Sequence, residues 1–554
     1  MNRLSALRGI APAMGLFAAL AVVAIWLRPL LPVDETRYLT VAWEMWASGD
    51  LLVPTLNGVA YAHKPPLLFW AIQASWALFG VSEAAARMVA PALSLIGFPF
   101  LFAIARRLYP ASPALAPLAV LAFATLALMM VLGSMTMFDG PLTTFVLIGV
   151  YALVEARTAE QPRRRWAMIG LFTVALGGGL LTKGPVVFVH LLPIALSAPV
   201  WCPRRGTSVT TRWTMGRWYG AVAVAVLGGG ALALAWAIPA ALSGGEAFAD
   251  QILWRQTAGR VVQAFAHRRP VWFYLVLLPV IVAPWGWALV AARRIHLREP
   301  GFRLALIWIV APLVLLSLVS GKQIHYVVPE LPAVALAAAR ILVDRETRVR
   351  WRLVIAGTGV AFVLGVLVVL GPLVVSHVPR ARALALEVWT TPRLDLALAA
   401  AIAVLGGIGP LIWRWRRRSW TPWLVGVPMV AVFLAVHVYA RIPMAERYDL
   451  SRLARQLEAG SGPLAMAPDY AGEFGFLGRI LQPVDIVAMN RVRQWLDSHP
   501  DGRLVIRYAR GRAPLEWAPI WVQPYRSRQI GIWAAPSETP VPSLATTFVT
   551  GADK

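Results

Sequence analysis

GIAPAMGLFAALAVVAIWLRPLLPVDETRY, residues 9–38, is an apolar run followed at once by charge. No charged residue occurs from Gly9 to Leu27, and about 20 apolar residues suffice for a helix to cross roughly 30 Å of hydrocarbon. Asp34, Glu35 and Arg37 follow directly. The stretch predicts a retained membrane span with charged side chains at the edge of the bilayer, where charge is costly and usually functional.

Similar runs recur along the 554 residues, of which 58% are hydrophobic and 14% charged. This composition predicts a polytopic α-helical membrane protein. The net charge of +25 suggests nucleic-acid binding at first sight, but the arginines cluster in short loops between apolar runs, as cytoplasmic loops do, so we predict no nucleic-acid partner. The apolar runs lie at 9–30, 66–81, 87–105, 113–133, 139–156, 166–182, 185–202, 219–242, 271–292, 302–320, 326–343, 353–377, 394–413 and 421–440.

The basic loops set the topology. If all of these runs crossed the membrane, the basic N-terminus and the basic Arg106-Arg107 loop would lie on opposite sides. The run at 66–81 is short, contains Gln73 and carries tryptophans typical of an interfacial helix, so we predict that it does not cross. About 13 transmembrane helices remain, and the polar residues between them collect on the outer side.

This topology divides the chain into two domains. Residues 1–441 form the predicted membrane domain, with a first outer loop at 31–86 that contains interfacial helices and a second outer loop at 243–270. Residues 442–554 lack apolar runs and carry short strand and helix patterns, so we predict a small α/β C-terminal domain on the outer side.

Lysine usage points to an anionic ligand. The chain has four lysines against 48 arginines. Lys64, Lys183 and Lys322, the three that precede the C-terminus, all map to the outer side, against the positive-inside tendency. Each could be a lysine that snorkels from a helix end, but the shared placement favours binding of phosphate by a compact point charge.

Two outer carboxylates are candidate catalytic residues. Asp139 is the only charged residue between Arg107 and Glu155, although its place before Gly140-Pro141 also fits a helix cap. Asp34 follows the first span, where an ordinary polar loop is the alternative interpretation. Carboxylates and cations at membrane level suit glycosyl transfer from a polyprenyl phosphate sugar, because cations stabilise the charge left on the departing phosphate.

Histidines raise the question of a metal. His63 and His267 are possible ligands together with Asp139, which would suit a divalent ion such as zinc or magnesium. Their spacing is irregular, and the need for a metal stays open. The remaining histidines considered, which carry no site prediction, are His190, His296, His377, His437 and His499.

The outer motifs resemble those of the bacterial aminoarabinose transferases, within the protein O-mannosyltransferase-like GT-C superfamily. The motifs that carry the resemblance, in chain order, are Asp34-Glu35-Thr36-Arg37-Tyr38, Ala47-Ser48-Gly49-Asp50, Lys64-Pro65, Arg87, Asp139, Lys183-Gly184-Pro185, the segment from Arg260 to Tyr274, and Lys322 with Tyr326 and Pro329. His63 departs from the pattern, because some members have an acid before the lysine.

The resemblance implies a GT-C fold of thirteen spans with a periplasmic C-terminal domain, in a multi-pass protein of the Gram-negative inner membrane that we expect to be a monomer. It implies a pentosyltransferase that moves 4-amino-4-deoxy-L-arabinose from undecaprenyl phosphate to lipid A by inversion, with polymyxin resistance as the outcome. It assigns catalytic roles to Asp34 and Asp139. The substrate-binding residues that it implies are Glu35, Arg37, Tyr38, Lys64, Arg87, Lys183, Arg260, Lys322 and Tyr326.

Two alternatives stay open. A relative could move another polyprenyl-phosphate-linked sugar to lipid A, or to a protein hydroxyl that needs an aspartate as general base. A lipid or sugar transporter would place polar residues near the middle of the bilayer, whereas here they lie at the outer helix ends.

Overall fold

A computed structural model describes residues 3–202, 214–253, 268–343, 397–404, 422–460 and 462–536, together with scattered positions within 352–363 and position 395. The predicted site residues Arg260 and His267 lie outside the described residues, as do most of the apolar runs at 353–377 and 394–413. The count of thirteen spans therefore stays a prediction.

The described part of the chain is mostly helical, which confirms the predicted fold class. Within it, eight helices are long and apolar enough to cross a membrane. They are Gly9–Leu27, Glu83–Leu108, Asp139–Thr158, Pro162–Lys183, Met215–Gly244, Pro300–Leu318, Ile324–Leu342 and Val425–Glu458.

Three predicted runs are broken rather than straight, and one of them, the run at 185–202, divides into the helices Val186–Leu196 and Ala198–Trp201. The run at 271–292 forms the helices Phe273–Ile281 and Trp285–Ala291, which meet at 106°. Pro279 and Pro284 lie at this bend, and proline cannot donate the backbone hydrogen bond that a continuous helix needs. The run at 113–133 divides into Leu115–Ala124 and Ala127–Leu132. A run of apolar residues therefore does not guarantee one uninterrupted helix.

The first outer loop contains three helices and a hairpin. The helices are Asp34–Ser48, Leu67–Phe79 and Glu83–Arg87. Strands β1 (Thr55–Leu56) and β2 (Val59–Ala60) pair antiparallel through an Asn57-Gly58 turn in which both residues have positive φ. The helix Leu67–Phe79 has 13 residues, about 20 Å of helix, which is too short to cross a bilayer.

The C-terminal domain is the predicted α/β unit. The helix Trp423–Tyr448 runs past the predicted boundary at 441, and the domain proper begins with the helix Ser451–Glu458. The sheet has the order β4-β3-β5-β7-β6, and β3 pairs parallel with both β4 and β5. The helices Ser451–Glu458 and Val492–Ser498 cover opposite faces. The strands are β3 (Leu464–Ala467), β4 (Val484–Ile486), β5 (Arg503–Tyr508), β6 (Trp521–Tyr525) and β7 (Arg528–Trp533).

The C-terminal domain is docked on the first outer loop. The hydroxyl of Thr40 donates to the carbonyl of Gly472 at 3.0 Å and accepts from the amide of Phe476 at 3.0 Å. The side chain of Asn57 exchanges two hydrogen bonds, of 2.8 and 2.7 Å, with the backbone of Val484. The rings of Phe476 and Trp76 stack 5.3 Å apart. The helix Asp34–Ser48 is thus held in part by contacts with the C-terminal domain.

Candidate active site

Asp139 and Lys183 form the buried centre of the site. Asp139 is the first residue of the helix Asp139–Thr158, and Lys183 is the last residue of the helix Pro162–Lys183. The Lys183 Nζ atom donates to Asp139 Oδ1 at 2.5 Å, and the two side chains are 9% and 2% exposed. Phe138 precedes the helix and Asp139 caps no backbone amide with its side chain, so pairing replaces the capping role. Each charge also suits its helix end.

The segment Ile324–Glu330 completes this face of the site. It is a short 3-10 helix, and it places the ring of Tyr326 4.7 Å from Lys183 Nζ, a cation–π contact. The ring of His325 lies edge-on to Tyr326 at 4.8 Å and interacts electrostatically with Asp139, Lys183, Lys64 and Asp34. No role for His325 was predicted from the sequence. His325 lies in the motif Gly321-Lys322-Gln323-Ile324-His325-Tyr326, in which only Lys322 and Tyr326 were predicted to bind substrate.

The first outer loop supplies the opposite face. Asp34 is half-exposed, accepts a long hydrogen bond of 3.4 Å from the hydroxyl of Tyr38, and lies 3.8 Å from Arg37. Burial, followed by the nearby charge of Asp34, raises the pKa of Tyr38 well above its ordinary value. Lys64 Nζ lies 5.7 Å from the ring of Phe138, and Tyr38 packs edge-on against the same ring at 4.9 Å. Phe138, which precedes Asp139, therefore joins the two faces.

Glu35 is a structural member of the site. It is fully buried, pairs with Arg28 and accepts from the backbone amides of Leu31 and Thr136. Burial by itself raises the pKa of this carboxyl, but the charge of Arg28 and its hydrogen bond outweigh burial and hold the pKa below the ordinary value. Glu35 thus ties the helix Asp34–Ser48 to the first span and to the segment before Asp139. Both Glu35 oxygens are engaged inside the protein.

Two predicted ligand contacts are enclosed by protein. Lys322 is buried, and its Nζ atom donates to the carbonyls of Arg269 at 3.0 Å and Val319 at 2.5 Å. Arg87 is also buried and pairs with Glu83 at 2.7 Å. Its Nε and Nη2 atoms have no hydrogen-bond partner among the described residues. The phosphate-binding role of Lys322 and the substrate-binding role of Arg87 stay predictions. In the structure both side chains are buried and make contacts within the protein.

The predicted metal site is incomplete in the described part of the chain. His63 is exposed and its ring stacks on Tyr61 at 5.2 Å, while Asp139 is already paired with Lys183. No group of three His, Cys, Asp or Glu side chains within the described residues is arranged to hold a metal ion. A metal bound by His63, His267 and Asp139 stays a prediction.

Comparisons with known proteins identify the fold and the family. Residues 63–231 match the family described as "Dolichyl-phosphate-mannose-protein mannosyltransferase". The fold is that of ArnT from Cupriavidus metallidurans bound to undecaprenyl phosphate, with a TM-score of 0.71 at 20% identity over 95% of this chain and 97% of that one. The fold is therefore the GT-C fold of a multi-pass membrane protein.

Curated relatives narrow the class to a family. An undecaprenyl phosphate-alpha-4-amino-4-deoxy-L-arabinose arabinosyl transferase of Pseudomonas paraeruginosa is 30% identical over 73% of this chain and 71% of its own length. The protein of the same description from Yersinia enterocolitica is 25% identical over 85% of this chain and 83% of its own length. The chain belongs to the family of undecaprenyl phosphate-aminoarabinose arabinosyl transferases, which confirms the resemblance found in the sequence.

Proposed function

We propose that this protein transfers 4-amino-4-deoxy-L-arabinose from undecaprenyl phosphate to a phosphate group of lipid A, at the periplasmic face of the Gram-negative inner membrane. Family membership supports this reaction, as does the similarity of fold to a transferase structure with undecaprenyl phosphate bound. Masking lipid A phosphates with an amino sugar lowers their negative charge. The physiological result would be resistance to polymyxin and other cationic peptides.

The observation that carries the proposal is that carboxylates and ammonium groups occur together on both faces of one site. Lys183 and Asp139 are paired on one face. Lys64 and Asp34 lie on the other, where Lys64 Nζ is 5.7 Å from the ring of Phe138. Charged side chains at the membrane end of a helix are energetically costly, and they usually serve a function. A polyprenyl phosphate sugar needs cations at its phosphate and hydrogen-bond acceptors at its sugar.

The proposed chemistry is a one-step inversion. An oxygen of the lipid A phosphate attacks the anomeric carbon, and the bond from that carbon to the undecaprenyl phosphate oxygen breaks. The bonding pair leaves with undecaprenyl phosphate, whose added negative charge is stabilised by Lys64 and Lys183. The attacking phosphate is already anionic, so no strong general base is required. Asp34 and Asp139 orient the amine and hydroxyls of the sugar.

Mass spectrometry of lipid A tests the reaction directly. The protein is expressed in a Gram-negative strain that makes the donor but lacks its own transferase, and aminoarabinose on lipid A is expected. A sugar of another mass on lipid A, or sugar on protein with lipid A unchanged, would refute the proposal in favour of a related transferase.

Topology reporters test the proposed orientation. Fusions within 243–270 and after Tyr448, where the helix Trp423–Tyr448 ends, are expected to report a periplasmic location. A matched fusion in the predicted cytoplasmic loop at Arg163-Arg164-Arg165 should report the opposite side. A cytoplasmic signal at either outer position would overturn the one-sided site.

A further inference from the structure

A buried histidine and glutamate meet below the active site. His190 Nδ1 lies 2.6 Å from Glu330 Oε1, and the two side chains are 0% and 3% exposed. Both belong to apolar helical segments of the membrane domain. Ionisable side chains in such segments are expensive and usually serve a function. No role for His190 was predicted from the sequence.

The pair connects the segment that carries His325 and Tyr326 to the helix that follows Lys183. His190 lies in the helix Val186–Leu196, which follows Lys183 after the turn at Gly184-Pro185. Glu330 ends the 3-10 segment that carries His325 and Tyr326. The Lys183–Tyr326 contact connects the segment Ile324–Glu330 to the end of the helix Pro162–Lys183, and the His190–Glu330 contact connects the same segment to the following helix, Val186–Leu196.

The segment Ile324–Glu330 depends on such external contacts. A 3-10 helix has poorer hydrogen-bond geometry than an α-helix, and Pro329 removes one donor. Side chains from neighbouring helices hold both of its ends: the Tyr274 hydroxyl donates to the carbonyl of Gln323 at 3.0 Å, and Trp308 Nε1 donates to the carbonyl of Pro329 at 2.9 Å. Glu330 adds a third tie, directed at the helix that follows Lys183.

The pair is poorly suited to stabilise the fold. His190 Nε2 and Glu330 Oε2 are buried and have no hydrogen-bond partner within the described residues. Replacing a buried polar pair with apolar side chains of similar size is often neutral or stabilising. Polar side chains at these two positions are explained if the pair fixes the relative position of the two segments rather than adding stability to the fold.

We propose that His190 and Glu330 are positioning residues that hold the His325-Tyr326 turn against Lys183 and Asp139, and so fix the ammonium group that faces the departing phosphate. This inference rests on the proposed function. Because charge on that phosphate increases as the glycosidic bond breaks, misplacing the ammonium should affect the transition state more than the bound donor.

The test uses full-length protein and the paired substitution H190L/E330L, which removes the tie without leaving one polar partner buried alone. Its melting temperature is expected to equal the parental value, while kcat falls about tenfold or more and the KM for the lipid-linked donor stays within about twofold. E330Q keeps a hydrogen-bonding side chain of the same size and should retain kcat within about threefold. H437L is the matched control, a membrane histidine outside the site that should keep parental kinetics.

A parental kcat for H190L/E330L would overturn the inference. E330D, which shortens the side chain by one methylene, provides a second test and should lose about threefold or more in kcat. If the paired variant cannot be purified, a parental kcat for E330D overturns the inference by itself.

Binding of undecaprenyl phosphate separates this inference from the proposed function. Free undecaprenyl phosphate carries the charge of the departing group, so its protective shift in melting temperature should shrink in H190L/E330L and persist in H437L. If the parental protein transfers no aminoarabinose to lipid A, the proposed function fails. The thermal shift then decides the positioning role separately, and an undiminished shift in the paired variant refutes it.

Discussion

The two carboxylates of the site are held in different ways. Asp139 is 2% exposed at its side chain and lies 2.5 Å from Lys183, between two membrane helices. Asp34 is 48% exposed, and its contacts with Tyr38 and Arg37 are 3.4 and 3.8 Å long. The face that contains Asp139 is fixed before substrate arrives. The face that contains Asp34 retains room for a ligand and depends on a loop braced by the C-terminal domain.

The largest expected effect is at these carboxylates. Asp139→Asn and Asp34→Asn should each abolish lipid A modification, a loss of about 100-fold or more, while the protein still inserts into the membrane. Only Asp139→Asn should also lower the melting temperature, because it leaves Lys183 buried without its charged partner. Mass spectrometry and thermal unfolding measure the two effects, with the exposed Asp497→Asn as control. Equal melting temperatures for the two variants would erase the contrast, and normal modification would remove that residue from the site.

The next effect separates Lys64 from Lys322. Lys64→Arg should reduce transfer about tenfold, roughly 1.4 kcal/mol of transition-state stabilisation, because the planar guanidinium does not replace a compact ammonium beside Phe138. Lys322→Arg should lower yield or melting temperature as well, because its ammonium is enclosed by two carbonyls. Transfer rates are compared at equal amounts of folded protein. Parental rates for both variants would contradict the argument from lysine usage.

A smaller effect is expected at Thr40, where the C-terminal domain contacts the helix Asp34–Ser48. Thr40→Val removes a hydroxyl that makes two hydrogen bonds to the C-terminal domain, and should cost about 1–3 kcal/mol of stability locally. Transfer should fall severalfold, because the helix that carries Asp34 loses its outer support. The exposed Ser498→Ala in the same domain serves as control. Unchanged transfer would mean that the first outer loop is held by membrane contacts alone.

The smallest effect concerns pH. Glu473 lies between Gly472 and Phe476, the two residues that bond to Thr40. Burial raises the pKa of its carboxyl above the ordinary value of 4.5. At a pH well below 4.5, the Glu473 carboxyl is protonated in both the folded and the unfolded chain. As pH rises above that value, the unfolded chain releases its proton first, so the folded state loses relative stability. Glu473→Gln should therefore give a flatter melting profile from about pH 4 upwards. A parental slope in this variant would assign the pH dependence to other groups.

Several features of the site could be predicted from the sequence. Asp139 stood alone in a long uncharged stretch, the lysines were rare and shared one predicted side, and the motifs matched a family. The structure pairs Asp139 with Lys183 and places Lys64 beside the ring of Phe138, the residue before Asp139. His325 was missed because a lone histidine next to a tyrosine has no local signature. Glu35 resembled a ligand contact but pairs internally with Arg28.

The sequence by itself determined the membrane class, the position of most helices, the α/β character of the C-terminal domain and the family. Each of these depends on local periodicity, composition or ordered motifs, which are written along the chain. Tertiary structure alone decided that Lys183 reaches Asp139, that Lys322 is enclosed, that His190 meets Glu330 and that the C-terminal domain braces the helix Asp34–Ser48. These contacts join residues far apart in sequence, so they depend on how whole helices pack, and no local pattern encodes that packing.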